Sequence, residues 1–258
     1  MKPNIYTKSE IDAIREGGHI LSRILGELAS RVRPGVTTGE LDELAEKLMH
    51  EAGGEGSFKG YKAGGKIPFN GVVCTSINDE VVHGPPYPSR AVKNGDLLKL
   101  DIGLRYKGLC TDMAITVPVG EVSRQAHKLM ATTRESLFAG IEMVKPGEQI
   151  REVGKAVQKV CERDGFGVVR ALVGHGVGKQ IHEEPPVPNF DDPDMPRIAF
   201  KPGMVIAIEP MVTAGTWEVD VKDDDWTFVT TDGKISAHFE VTVTVTEDGF
   251  EILTPLPV

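Results

Sequence analysis

Residues 33–53, RPGVTTGELDELAEKLMHEAG, return in outline as residues 145–165, KPGEQIREVGKAVQKVCERDG. The Pro-Gly pair, Glu40/Glu152, Lys47/Lys159 and the closing Gly53/Gly165 coincide, and the apolar Leu41, Leu44, Ala45 and Leu48 fall on Val153, Ala156, Val157 and Val160. The spacing of these positions predicts an amphipathic helix over 38–52, with Thr37 or Thr38 as its cap and Gly53 as its stop; a similar period predicts another over 7–32. Each copy is followed by β-type sequence, residues 72–118 and residues 168–246. This pattern reads as an internal duplication. One repeat of helices and strands covers its sheet poorly, whereas two can join their strands into one antiparallel curved sheet with helices packed behind it, an α+β fold. The pseudo-repeat halves would run over about 7–118 and 119–250, within a single domain spanning 1–258. The competing reading is that Pro-Gly followed by an amphipathic helix recurs by chance. The Gly- and Pro-rich stretches KGYKAGGKIPFNGV (59–72) and EEPPVPNFDDPDMPRIAFKPG (183–203) mark loops at the edge of a cleft or surface, and no flexible interdomain linker is evident.

At 258 residues, 40% hydrophobic and 26% charged, the chain has the composition of an ordinary globular protein. No apolar run approaches the ~20 residues that span a bilayer, and the amino-terminal stretch lacks the apolar block of a signal peptide. The expectation is a cytoplasmic protein with no membrane partner. Its three cysteines (Cys74, Cys110, Cys161) are scattered and form no CxxC pair, which excludes a disulfide framework and a thiolate zinc site. Any metal must therefore use His, Asp or Glu. A net charge of −9 disfavours a broad nucleic-acid surface.

The stretch LLKLDIGLRYKGLCTDMAITV (97–117) carries an aspartate in each of two aliphatic strands. If residues 98–104 and 109–117 pair antiparallel through a turn at Tyr106-Lys107 or Lys107-Gly108, facing positions sum to an odd number. Asp101 and Asp112 then share a face, opposite each other or one diagonal apart, with roughly 5 to 8 Å between their Cβ atoms. Two carboxylates about 5 Å apart repel by ~3 kcal/mol at an effective dielectric of 20, so a shared proton, a basic neighbour or a metal must compensate. Alone, the pair suits a solvent-facing polar edge as well as a functional site. In GMVIAIEPMV (203–212) Glu209 closes an apolar alternation before Pro210, and in SAHFEVTVTVTEDG (236–249) His238, Glu240, Thr242 and Thr244 oppose Phe239, Val241 and Val243. Each glutamate is also readable as a partly exposed strand position.

In GHGVGKQIHEEPP (174–186) the glycines exclude a stable helix, so His175 and His182 belong to a strand or loop where backbones approach closely. Either imidazole could equally be a satisfied loop or core residue. A phosphate-loop reading fails, because Val173 and Gln180 stand where Gly and Ser or Thr are required. Cys74 and Cys110 lack any adjacent cue for a thiol nucleophile.

Taken in order, His83 of NDEVVHGPP, Asp101 and Asp112, His175 and His182, Glu209 of IEPMV and Glu240 of SAHFEVTV form a series that resembles type I methionine aminopeptidases, the pita-bread (creatinase/aminopeptidase) metallopeptidases, over nearly the whole chain. The resemblance implies two divalent metals, Asp101 and Asp112 on the first, His175 and Glu209 on the second, with Asp112 and Glu240 bridging. Four gathered carboxylates are tolerable around about four units of positive charge, which two such ions supply. One imidazole among oxygen ligands suits Mn, Fe or Co, with Zn also open, and an additional monovalent cation is left open too. The implied reaction removes initiator methionine from nascent polypeptide N-termini whose second residue is small, through a metal-bridging hydroxide attacking the scissile carbonyl. Glu209 would also move protons, His83 would contact the scissile amide nitrogen, and His182 would stabilise the tetrahedral intermediate. An apolar, sulfur-compatible pocket would be walled by Cys74, Phe69, Trp226 and Tyr61. Two features depart from the family: the segment 61–74 is longer than usual, and Ile181 stands before His182 where Phe is usual, which implies a wider pocket or an altered preference without touching the metals. A monomer that docks on ribosomes, without specific nucleic-acid binding, is the expected context. X-Pro peptidases of the same fold use the same ligand set but usually carry an extra amino-terminal domain. Non-catalytic binding proteins of this fold typically lose ligands.

Overall fold

Matching backbone at both ends marks the repeated segment. In the computed structural model, which describes residues 3–62 and 67–257, Gly35 and Gly147 adopt φ of +93° and +89°, and Gly53 and Gly165 adopt +77° and +82°. These left-handed angles suit glycine, which pays no Cβ penalty there. Between them lie α2 (Thr38–Glu51) and α4 (Arg151–Arg163), preceded by α1 (Lys8–Arg31) and α3 (Arg124–Ile141) respectively. The duplicated positions bury alike: Leu41 with Val153, Ala45 with Val157, Met49 with Cys161. The starts differ. Thr37 caps α2 in a reciprocal box with Glu40, while α4 begins at Ile150 with no side-chain cap, and Glu152 instead accepts from Lys155. Thr38, the alternative cap, donates to the Pro86 carbonyl.

The first half contributes β1 (Glu55–Gly56), β2 (Val73–Ile77), β3 (Glu80–Val82), β4 (Leu97–Tyr106) and β5 (Leu109–Pro118). After α4 come β6 (Gly167–Val168), β7 (Gly174–Gly176), β8 (Glu183–Val187), β9 (Val205–Ile208) and β10 (Met211–Thr213). The chain then adds β11 (Val219–Val221), β12 (Phe228–Thr230), β13 (Ser236–His238), β14 (Glu240–Val245) and β15 (Phe250–Ile252). Among the described residues, strands of both halves join one antiparallel sheet in the order β1-β4-β5-β14-β9-β7-β8, with β2 on β4 and β15 on β14. Two three-stranded sheets, β13-β10-β6 and β11-β12-β3, flank it.

Strand alternation sorts the faces. Leu98, Leu100, Ile102 and Leu104 of β4, with Met113 and Ile115 of β5, enter the core shared with Leu21, Leu25 and Leu28 of α1. Lys99, Asp101, Cys110, Asp112 and Thr116 occupy the other face. The hairpin turns at Lys107 and Gly108, both left-handed at φ of +50° and +80°, the second of the two turns anticipated. Thr242 stitches β14 to β5: its hydroxyl accepts from the Asp112 N–H at 3.0 Å and donates to the Asp112 carbonyl at 2.8 Å. Among the described residues no helix is long and apolar enough to cross a membrane.

Candidate metal centre

Register brings the acids together. Asp101 pairs with Ala114 and Gly103 with Asp112, so the aspartates lie one diagonal apart on a common face. Glu240 pairs with the same Ala114 from the other side of β5. The next strand out, β9, ends at Ile208, opposite Val241, and the chain continues into Glu209. His175 is carried by β7, which lies against β9 and β8; a Cβ on Gly174 would strike the Ala207 carbonyl, and one on Gly176 the Glu184 carbonyl. Those glycines let the backbones close and thereby deliver the imidazole to the carboxylates.

All four acids are buried. Donor atoms of Asp101, Asp112 and Glu240 lie within 4.8 Å of one another, as do those of His175, Glu209 and Glu240, and those of Asp112, His175 and His182. Glu240 and Asp112 thus each belong to two groups. The His175 Nδ1 meets the Gly176 carbonyl at 2.9 Å, which assigns its proton there and leaves Nε2 facing Glu209 at 3.4 Å and Asp112 at 3.8 Å. Asp101 Oδ1, Asp112 Oδ1 and Glu240 Oε1 have no hydrogen-bond partner among the described residues. Buried, unpartnered carboxylate oxygens are costly without a cation, and no lysine or arginine among the described residues pairs with any of the four acids. Burial lifts the Asp101 carboxyl to about 7, and burial together with neighbouring carboxylates pushes Asp112, Glu209 and Glu240 well above the usual range. Burial also pulls His175 down to about 3, keeping it a neutral donor. The donor set, mostly hard oxygens with one imidazole, fits divalent ions.

A cavity of about 270 Å³ opens beside the acids. Cys74, Phe69, Tyr61 and Trp226 line it, with Phe69 edge-on to Trp226 at 5.3 Å between ring centroids. Ile181 does not. It is buried in the layer behind, packed with Phe58 and the aromatic wall, so its expected direct effect on pocket width is corrected: it supports the wall from outside. Phe58, Leu172, Val173 and Met211 do line the cavity and escaped the sequence reading: the first three lie outside the quoted motifs, and Met211 sits in IEPMV, where only Glu209 drew attention. Of the longer 61–74 segment, residues 63–66 lie outside the described residues.

His83 lines the cavity from a left-handed backbone (φ +61°), its ring edge-on to Phe228, and burial with the nearby His182 lowers its proton affinity to about 4. His182 stands edge-on to His175, ring centroids 4.5 Å apart, and its Nδ1 shares a 2.8 Å hydrogen bond with the Tyr61 hydroxyl. Tyr61 is therefore a support for His182 as well as a wall. His238 was placed on the Glu240 face but given no task; its Nε2 lies 3.7 Å from Glu209 Oε2.

The sequence model of Metallopeptidase family M24 matches residues 12–247. Methionine aminopeptidase 1 of Bacillus subtilis is 45% identical over 249 residues, which cover 96% of this chain and 97% of that one. The chain belongs to metallopeptidase family M24, among the methionine aminopeptidases. The crystal structure of methionine aminopeptidase from Thermotoga maritima superposes with a TM-score of 0.92 at 40% identity, covering 98% of this chain and 99% of that one. The Xaa-Pro dipeptidase from Bacillus anthracis shares the fold, with a TM-score of 0.76 at 24% identity, but this chain covers only 62% of it. The α+β pita-bread expectation therefore holds for this M24 enzyme.

Proposed function

We propose that this chain is a dinuclear metal-dependent aminopeptidase that removes initiator methionine from nascent proteins with a small second residue. The observation that carries the reading is a buried cluster of four carboxylates and a neutral imidazole, with no lysine or arginine partner among the described residues, opening on an apolar cavity. Asp101, Asp112 and Glu240 would hold one ion, and His175, Glu209 and Glu240 the other, with Asp112 reaching both. When bound, the metals polarise the scissile carbonyl and activate the attacking water. Mn, Fe or Co is the proposed pair, Zn the less favoured one.

The chain's own residues supply the rest. The aromatic wall with Cys74 excludes water from a thioether side chain and offers it polarisable, apolar contact. His83 is positioned for the scissile amide nitrogen. His182, oriented by Tyr61, would stabilise the tetrahedral intermediate, and Glu209 would carry a proton between water and leaving amine. The proposal extends to one catalytic domain made of the two halves, acting as a cytoplasmic monomer near ribosomes.

The test is to strip the protein of metal, reconstitute it anaerobically with Mn²⁺, Fe²⁺ or Co²⁺, and offer Met-Ala-Ser beside a Gly-Pro peptide. Cleavage of Met-Ala-Ser alone is the expected outcome. A protein that binds metal normally and leaves Met-Ala-Ser intact refutes the reading, and one that prefers the prolyl bond replaces it with an X-Pro peptidase.

A further inference from the structure

Lys99 lies on the acid-bearing face of β4, two residues before Asp101, and is 1% exposed. Its Nζ donates to the Asn78 carbonyl at 2.7 Å, the Ser236 hydroxyl at 3.3 Å and the Ser236 carbonyl at 3.4 Å. The Ser236 hydroxyl directs its own proton to the Asn78 and Glu80 carbonyls, at 3.0 and 3.3 Å, so a lone pair is left for the lysine. Three acceptors thus surround a group with three N–H donors. Among the described residues no carboxylate forms an ion pair with Lys99. Three neutral oxygens converging on one point are the coordination that a free potassium, sodium or ammonium ion would adopt.

The cage joins the roots of three elements that reach the site. Asn78, held at φ +54° and bonded through its side chain to Asp96 and the Leu97 N–H, leads through β3 to His83. Ser236 opens β13, which runs on through His238 to Glu240, and Lys99 itself precedes Asp101. We propose that the Lys99 amino group fills this oxygen cage in the place a monovalent cation would take, so that the additional monovalent ion left open by the sequence does not fit here and is not required. Removing the amine opens the cage to potassium or ammonium.

Thermal unfolding of the metal-loaded full chain tests this in potassium, ammonium, sodium and tetramethylammonium chlorides at equal ionic strength, the last being too large for the cage. Wild type should unfold within about 1 °C of the same midpoint in all four salts. The Lys99→Ala variant should fall by about 5 °C in tetramethylammonium chloride, the scale of a lost charged hydrogen bond, and recover at least half of that saturably in potassium or ammonium. Lys99→Met, which fills the space without donors, should stay low in every salt. A saturable gain by wild type in potassium or sodium shows an open cage and overturns the proposal. So does a Lys99→Ala variant that matches wild type throughout, or one that is equally impaired or unfolded in every salt. No turnover is measured, so failure here leaves the peptidase reading untouched, and loss of that reading leaves this one standing.

Discussion

Adding divalent metal to the metal-free protein should expel protons, because the acids that would hold the ions keep protons in their absence. With its carboxyl lifted to about 7 by burial, Asp101 retains about nine-tenths of a proton at pH 6. Asp112, Glu209 and Glu240 are pushed in the same direction, well above the usual carboxylate range, by burial and by neighbouring carboxylates. His175, pulled down to about 3, carries none, so the count reports the carboxylates. Divalent ions take ionised ligands, so about one proton should leave per protein at pH 6 from Asp101, with any held by the other three acids adding to it. The metal-loaded state then binds fewer protons than the metal-free state, and raising the pH must favour it. Each released proton makes apparent affinity rise about tenfold per pH unit near pH 6. Titration calorimetry with Mn²⁺ in two buffers of different ionisation enthalpy counts the protons directly. Release of less than about half a proton, with normal metal stoichiometry, would mean the acids are already ionised in the free protein and would sink the electrostatic argument.

Three further substitutions probe the supports. Asp112→Asn removes the carboxylate common to two donor groups, so both ions should be lost in metal analysis; a variant with full dinuclear activity contradicts the sharing. Tyr61→Phe deletes the 2.8 Å bond to His182 and should lower kcat about fivefold, worth about 1 kcal/mol, with KM and metal content little changed; an equal rise in KM would instead mark the hydroxyl as a substrate contact. Gly103→Ala places a methyl against Ser57, against Phe58 at 2.8 Å and against Ile181 at 3.0 Å, and urea unfolding should show a loss of about 1 to 3 kcal/mol. An unchanged midpoint would mean the wall behind the pocket is loose.

Much of the site was legible because strand geometry is parity. The odd sum of facing positions in the hairpin holds for either proposed turn, so Asp101 and Asp112 had to share a face; only their diagonal offset required the observed register. The same parity placed Glu240 opposite Val241, whose side chain lies in the core. Ile181 was assigned to the pocket because the resemblance has Phe at its position. The exposed imidazole and the buried aliphatic chain instead part company, the latter entering space that Gly103 leaves free. Phe58, Leu172 and Val173 were illegible for a different reason: where a loop residue points depends on partners far away in the chain, and no local period records it. The duplication was visible in the Pro-Gly and closing Gly positions because left-handed backbone restricts residue choice. It was blurred at the helix starts, where Thr37 caps and Ile150 does not.

One strand face shows how these constraints combine. Lys99, Asp101 and Gly103 alternate along β4 about 7 Å apart, and each answers a different electrostatic or steric problem. Lys99 brings an amino group into a cage of neutral oxygens, Asp101 brings a carboxyl to a place where no described lysine or arginine pairs with it, and Gly103 removes a side chain where the pocket wall must pass. Exchanging the first two would place an ammonium among the carboxylates, where it would satisfy them and displace a divalent ion. It would also leave an acid facing carbonyl oxygens that repel it. The charges are therefore separated along the strand rather than paired. Among the described residues the acids have no lysine or arginine partner, and that property, which makes them costly in the metal-free fold, is the one that equips them to hold metal.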